Sequence, residues 1–431
     1  MSQPANAVFE NQCRNGCHST QRRGLRVILM SSLSGQSRTP LVLVGFAIAM
    51  VACASSPSGS DAFETRLISA TRNLIKDYDL PGMTVAIAGP DGVMSVAAGD
   101  ADPDNGRAMT SETTMLAASI GKTFVAATVL QMSDEGKLKL DDPISDWLGD
   151  KHWFDRLPNA SGITIRHLLQ HRSGLQDHVH MQAFSDLWLG GGEDLAPEDL
   201  IALVLDREPL FPAGEAWSYS DTGYLMLGLI VEKVAGRSYE DEIRERFLNP
   251  LGLTSTGPSN QKRLPQLASG YASGGLGLGL PVKTTDDSGA MVWNPAIEWT
   301  GGGLYSTSHD LALWGRYFLS GRLLTESTYQ QALGGVAASD GDANSLYGLG
   351  ISIRLDSPWG PVYGHRGWIP GYVSSLQYYP EYDTAIAFQT NTDIGIIDAP
   401  EPIILRIEKT IATVVLSDMA KDDNRQRPRG D

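Results

Sequence analysis

Strand-forming segments stand at both ends of this chain with a long helical stretch between them, and that distribution restricts the fold more than any other feature. Near the N-terminal end, "MTVAIAGPDGVMSVAAGDAD" reads as two strands about the Pro90-Asp91-Gly92 turn. Towards the other end, "YGLGISIRL", "GPVYGHRG", "YVSSLQYYP" and "TAIAFQTN" read as four strands joined by Asp/Pro/Gly turns. The interval from about Leu116 to Leu319 is patterned mainly as helix. Helical spacing recurs at Phe63, Leu67, Leu74 and Ile75, stopped by Pro81-Gly82, and again from Glu401 to Ser417. The expected fold is α+β: one antiparallel sheet assembled from both ends, flanked by terminal helices, facing a mainly helical lobe. A crevice between the two layers is where side chains from distant segments can meet.

The 431 residues, 42% of them apolar, suffice for a large core without disulfides. No repeat of 20 to 50 residues is visible, which argues against a solenoid or propeller. A net charge of −16 with no basic run disfavours nucleic acid as a partner. The Gly-rich stretches "LGGGED" and "ASGGLGLGLP" are expected to be loops; neither ends in G-K-[ST], so neither is a phosphate-binding loop.

The first residues are set apart from the fold. The apolar run from Leu41 to Ala52 is short for a membrane span and suits an export signal. It ends "MVAC", which resembles a bacterial lipobox, and that resemblance implies lipid attachment at Cys53. Residues 1–52 are therefore expected to be leader and lipoprotein-type signal, with 1–29 a candidate misassigned start upstream of Met30. Residues 53–61 form a Ser/Pro/Gly tether, 62–417 the folded domain and 418–431 a polar tail. The product would be exported and lipid-anchored to a bacterial membrane, with its domain in the periplasm or outside the cell. Cys13 and Cys17 in "CRNGCH" are spaced one residue too widely for haem attachment.

In "AASIGKTFVAATVLQM", Ile120, Phe124, Thr128 and Met132 share one stripe of a core-facing helix. Ser119 and Lys122, three apart, then present their polar ends together at its first turn. A helix N-terminus favours developing negative charge, and a lysine there can act as a base if its ordinary pKa of about 10.4 is depressed. In "AGEAWSYSDTGYLMLGLIVEKVAG", Tyr219 and Asp221 precede an apolar helix; a phenol near an ammonium can relay protons, while Asp221 reads equally as a helix cap. In "YGHRGWIPGY", His365 and Gly367 lie on a strand along which a substrate can run close to the backbone.

Together, and in this order, these boxes resemble the serine β-lactamase and penicillin-binding protein superfamily, in the branch of class C β-lactamases, D-alanyl-D-alanine carboxypeptidases and family VIII carboxylesterases. "SIGK" matches S-x-x-K, "YSD" stands for Y-x-N and "HRG" for K-T-G. "ITIRHLLQHRSGL" and "GGGLYSTSHDLALWG" are similar to further stretches of that family. The resemblance implies Ser119 as nucleophile, Lys122 as its proton partner and Tyr219 as general base or acid. It also implies an oxyanion hole from the backbone N–H groups of Ser119 and Trp368, and no metal or cofactor. Its substrates would be small-molecule esters, amides or β-lactams, with peptidoglycan fragments a further candidate partner; the oligomeric state is left open.

Two departures bear on the substrate. Asp221, where asparagine is usual, can only accept when ionised and should hold Lys122 protonated. His365, where lysine is usual, is largely uncharged at neutral pH, which weakens the case for a substrate carboxylate unless Arg366 compensates. Trp217 and Trp368 are candidates for an aromatic wall around an acyl chain. The reading favours esters or small amides opened through an acyl-Ser119 intermediate. Two alternatives stand beside it: a non-turnover penicillin- or peptidoglycan-binding lipoprotein, and an α/β-hydrolase esterase, which would need a parallel sheet.

Overall fold

Alternating residues on the strands divide the molecule into two cores, one on each face of a single large sheet. The structure is a computed structural model that describes residues 59–189, 195–273, 279–338, 343–397, 399 and 402–426. The leader, Cys53, most of the expected tether, the centres of both Gly-rich loops and residues 427–431 lie outside the described residues.

Twelve strands are described. β1 (Gly82–Gly89), β2 (Gly92–Asp102) and β3 (Arg107–Ala108) come from the N-terminal end. β4 (Met115–Leu116), β5 (Gly257–Pro258) and β6 (Leu304–Ser306) make a small sheet in the order β4-β6-β5. β7 (Val336–Ala337), β8 (Ser345–Tyr347), β9 (Ser352–Arg354), β10 (Val362–Ile369), β11 (Tyr372–Tyr379) and β12 (Thr384–Thr390) follow. The large sheet runs β3-β2-β1-β12-β11-β10-β9-β8-β7, so the last strand docks beside the first. Both ends of the chain thus build one sheet. Among the described residues every strand pairing is antiparallel, and the parallel sheet required by the α/β-hydrolase alternative is not there.

Met83, Val85 and Ile87 of β1 point to one face and pack with Leu67, Leu74, Ile407 and Ile411 of the terminal helices, Gly59–Asp77 and Ile403–Gln426. The C-terminal helix runs on to Gln426, past its predicted end at Ser417. On the other face stand the small side chains of Ala86 and Ala88. They leave room for the helix Ser308–Phe318, whose Gly315 approaches β11 so closely that an added Cβ would lie 2.5 Å from Leu376. Beyond it lie the two long buried helices of the middle lobe, Gly121–Asp134 and Asp221–Ala235. The described residues between Leu253 and Trp293 are mostly irregular, less helical than the pattern predicted.

Period-2 alternation fixes β10 in the way that matters most. His365, Gly367 and Ile369 face the helical lobe, whereas Arg366 and Trp368 face the terminal helices. β9 pairs only with Val362–Gly364 of β10, so among the described residues no strand flanks that side of His365–Ile369.

Candidate active site

Ser119 does not sit within the long helix but in a 3-10 turn, Ala118–Ile120, directly before it. Ala118 takes a positive φ of 48°, a left-handed conformation that costs a non-glycine residue on the order of 1–3 kcal/mol and is retained where surroundings impose it. The surroundings here are two glycines. A Cβ on Gly302 would lie 2.6 Å from the Ala118 carbonyl carbon, and one on Gly367 would lie 2.2 Å from the Ala117 oxygen. That oxygen also accepts from Ser374 Oγ at 2.8 Å. Strand β10 and the end of the short helix Trp299–Gly302 therefore clamp the turn from both sides.

Lys122 is wholly buried, and its ammonium spends its donors on three named acceptors: Ser119 Oγ at 3.1 Å, Asp221 Oδ1 and the Gly301 carbonyl. Burial opposes its charge, but the Asp221 carboxylate and then Tyr219 outweigh burial and push its pKa well above the ordinary lysine value. Asp221 is the first residue of its helix and turns its carboxylate to Lys122 rather than capping the helix. The helix's first N–H, that of Asp221 itself, is instead taken by Asp177 Oδ1 at 3.3 Å.

The Tyr219 ring lies with Lys122 Nζ 5.0 Å from its centroid. Its hydroxyl is buried and makes no hydrogen bond of normal geometry. Burial pushes the phenol up to about 12, although Lys122 and Ser119 are close enough to pull against that rise. His171 holds the ring from behind, centroid to centroid 4.1 Å, and accepts the Ser220 N–H at Nδ1, 3.2 Å. Burial, and then the Lys122 charge, press His171 well below the ordinary histidine value, so the ring is neutral.

His365 faces the same space and is also neutral, lowered to about 4 by burial and then by Lys122. Its Nδ1–H donates to the Arg366 carbonyl at 2.6 Å and its Nε2 accepts from Tyr347 Oη at 2.9 Å. Arg366 points away. It grips Glu408 of the C-terminal helix through Nε at 2.7 Å and Nη2 at 2.8 Å, and so cannot stand in for the missing lysine. The Trp368 side chain faces away too, with Nε1 on Asp393 Oδ2 at 3.0 Å, which removes it from any aromatic wall on the Ser119 side. Its backbone remains beside the turn. Trp217 lines a cavity with Tyr219 in which neither Ser119 nor Lys122 takes part.

The structure therefore gathers Ser119, Lys122, Asp221 and Tyr219 at one point, with His365 and Gly367 against it. Sequence reasoning did not find the Gly301 carbonyl, His171, Tyr347, Asp177 or Glu298. Asp177 and Glu298 are both pushed up to about 7, by burial first and then by the Asp221 charge. "HLLQHRSGL" and "GGGLYS" marked the segments carrying His171 and Gly301, but not which atom would be used. Among the described residues no helix is long and apolar enough to cross a membrane.

This clamped serine, its buried lysine and a phenol between two lobes is matched by the Beta-lactamase family model over residues 67–408. The chain belongs to the Beta-lactamase family. It is 25% identical to "Penicillin-binding protein 4*" of Bacillus subtilis (strain 168), over 73% of this chain and 69% of that protein. It is 28% identical to "Esterase EstB" of Burkholderia gladioli, over 63% of this chain and 78% of that one. The crystal structure of a D-stereospecific amidohydrolase from Streptomyces sp. superposes with a TM-score of 0.67 at 28% identity, covering 81% of this chain and 99% of that one. The fold is that of the β-lactamase/transpeptidase class, and the family holds hydrolases of esters, amides and peptides.

Proposed function

We propose that the protein is a serine hydrolase that opens small esters and amides through an acyl-Ser119 intermediate. The observation that carries this is the meeting of Ser119 Oγ with the buried Lys122 ammonium at 3.1 Å beside an unpartnered phenol. In this reading Ser119 Oγ attacks the substrate carbonyl as its proton passes to Tyr219, which later hands it to the leaving group. Lys122, held charged by Asp221, stabilises the phenolate and alkoxide rather than acting as the base. Backbone N–H groups of Ser119 and Trp368 are the proposed oxyanion donors, each contributing about 2.7–4 kcal/mol to transition-state stabilisation. Water then releases the acid and restores Ser119.

Electrostatics narrows the acyl group. Asp177, Asp221 and Glu298 act on a centre with one cation, Lys122, and the two that titrate near 7 add negative charge above that pH. Neutral or cationic acyl groups are favoured over anionic ones. Similarity to an esterase and to a D-stereospecific amidohydrolase supports the same substrate classes. Attachment to a bacterial membrane through Cys53 belongs to the proposal on sequence grounds alone.

The test is a screen of p-nitrophenyl butyrate, D-amino-acid amides and fluorescent penicillin on purified protein. The expected result is multiple turnovers of an ester or amide, reduced by about 10⁴-fold or more in Ser119→Ala. Stoichiometric penicillin labelling without turnover of any ester or amide would replace this reading with the non-turnover binder.

A further inference from the structure

A buried carboxylate outside the Ser119 cluster grips the strand on which the chemistry above depends. Asp393, just past β12, is 1% exposed, and its oxygens accept N–H donors from three places in the chain. Oδ2 takes the Trp368 Nε1–H at 3.0 Å and the Gly371 N–H at 3.3 Å, and Oδ1 takes the Ser273 N–H at 2.6 Å. The Asp393 N–H donates in turn to the Tyr271 carbonyl at 3.2 Å. A carboxylate can accept on both sides at once, whereas an amide has a single acceptor oxygen. Hydrogen bonds to a charged acceptor are also stronger than those between neutral groups.

Two of the three donors belong to the end of β10. Trp368 is on the strand, and Gly371, with a φ of 87°, is in the turn that leads into β11. On one side β11 pairs with this stretch, Trp368 opposite Val373 and Ile369 opposite Tyr372. On the other side, beyond the end of β9, no strand flanks it among the described residues. In front, Gly367 is pressed against the Ala117 carbonyl beside the Ser119 turn. Behind, the Asp393 carboxylate holds the Trp368 indole. The backbone N–H of Trp368, the second proposed oxyanion donor, is carried between these two fixed points. A catalytic group has to be held within about 0.5 Å of its productive place, and a misplacement of about 1 Å can cost about 10²-fold in rate.

We propose that Asp393 is a positioning residue for the oxyanion hole: through the Trp368 indole and the Gly371 N–H it sets where the Trp368 backbone N–H stands relative to that of Ser119. This rests on the acyl-Ser119 reading with Trp368 as an oxyanion donor. Asp393 touches no reacting atom and acts through β10. A purely structural tie, when cut, lowers the amount of folded protein. A positioning contact, when cut, weakens the hold of folded molecules on the tetrahedral species.

The experiment compares the wild type with Asp393→Ala, Asp393→Asn and Trp368→Phe. It reads kcat/KM for p-nitrophenyl butyrate, the melting temperature and the Ki of butylboronic acid. The boron of that probe adds Ser119 Oγ and carries an oxygen where the oxyanion would stand, and its Ki does not depend on how much of the protein is folded. Asp393→Ala should lower kcat/KM by about 10–100-fold, less than the outright loss of an oxyanion donor, and raise Ki by a similar factor. Trp368→Phe keeps the backbone N–H and the Gly371 contact, and should move both by about three- to tenfold, the worth of one hydrogen bond. Asp393→Asn can turn its carbonyl oxygen to Trp368 and Gly371 while its NH2 group opposes the Ser273 N–H, so Ki should stay close to wild type as the melting temperature falls. A Ki unmoved in both Asp393→Ala and Trp368→Phe, whatever their melting temperatures, overturns the assignment. Should Asp393→Ala not fold, Trp368→Phe decides alone: a raised Ki supports the assignment and an unmoved Ki overturns it. A wild type that turns over none of the esters and amides screened above and is not inhibited by the boronate overturns the hydrolase reading and this inference with it. Turnover and inhibition in the wild type with Ki unmoved in the variants overturn only the inference.

Discussion

Two carboxylate-centred ion networks lie on opposite faces of β10, and they differ in what they leave unsatisfied. Behind the strand, Glu408 is 4% exposed and both its oxygens are taken: by Arg366, Arg354, Ser375 Oγ at 2.7 Å and Gln377 Nε2 at 3.3 Å. In front, Asp221 and Lys122 satisfy each other, but the polar atoms around them are not all satisfied. Among the described residues, Tyr219 Oη, Trp217 Nε1, Ser220 Oγ and His171 Nε2 are buried without partners. Buried polar groups are nearly always paired, and one left open is costly unless a missing molecule completes it. The saturated network fastens a helix to a sheet. The open one is arranged for something that arrives.

That contrast is breakable. The largest expected effect is in front: Tyr219→Phe should lower kcat by about 10²–10⁴-fold, the usual worth of a positioned proton donor or acceptor. Its melting temperature should hardly change, because the hydroxyl has no hydrogen bond of normal geometry to lose. Turnover near wild type, measured beside a thermal melt, would take the phenol out of the chemistry. Behind the strand the expected order reverses. Glu408→Ala strips two arginines of their partner and should destabilise by about 2–3 kcal/mol, less than a fully buried pair would lose because Arg366 reaches solvent. Urea unfolding measures this, and turnover per folded molecule should fall far less than in Tyr219→Phe. A variant as stable as the wild type would mean that the rear network holds nothing together.

The smallest effect concerns pH. With the phenol at about 12, its conjugate base is scarce at neutral pH, so kcat/KM should climb with pH between 7 and 9. Asp221→Asn removes the leading cause that raises Lys122 and one of those that raise Tyr219. The rising limb should move to lower pH by about one unit, the scale of a neighbouring-charge effect. Coincident pH–rate profiles for the two proteins would show that Asp221 does not control the proton inventory. Above the ordinary lysine pKa the wild type should also lose stability relative to this variant, because a raised lysine pKa stabilises only while the amine keeps its proton.

What could be read from the chain tracks the range of the interaction. The Ser119–Lys122 pairing follows from residues three apart, and the opposed faces of His365 and Arg366 follow from strand alternation; both are local rules. The antiparallel sheet drawn from both ends was legible because strand patterns cluster there. The role of Arg366 was not, since the strand rule says that it faces away but not that Glu408, 42 residues on, waits for it. Gly301 and Tyr347 escaped for the same reason: a carbonyl and a phenol acquire their tasks only from what the tertiary fold sets opposite them. Ser119 in a 3-10 turn rather than a first α-helical turn reflects a clamp between Gly302 and Gly367, glycines 65 residues apart.

The account stands most directly on one covalent bond. Wild-type protein mixed with p-nitrophenyl butyrate, quenched in acid within the first turnover and digested, should yield the peptide containing Ser119 heavier by one butyryl group. Ser119→Ala should yield no acylated peptide and no turnover. Steady hydrolysis with Ser119 unmodified at every quench time, or retained by Ser119→Ala, would contradict the account.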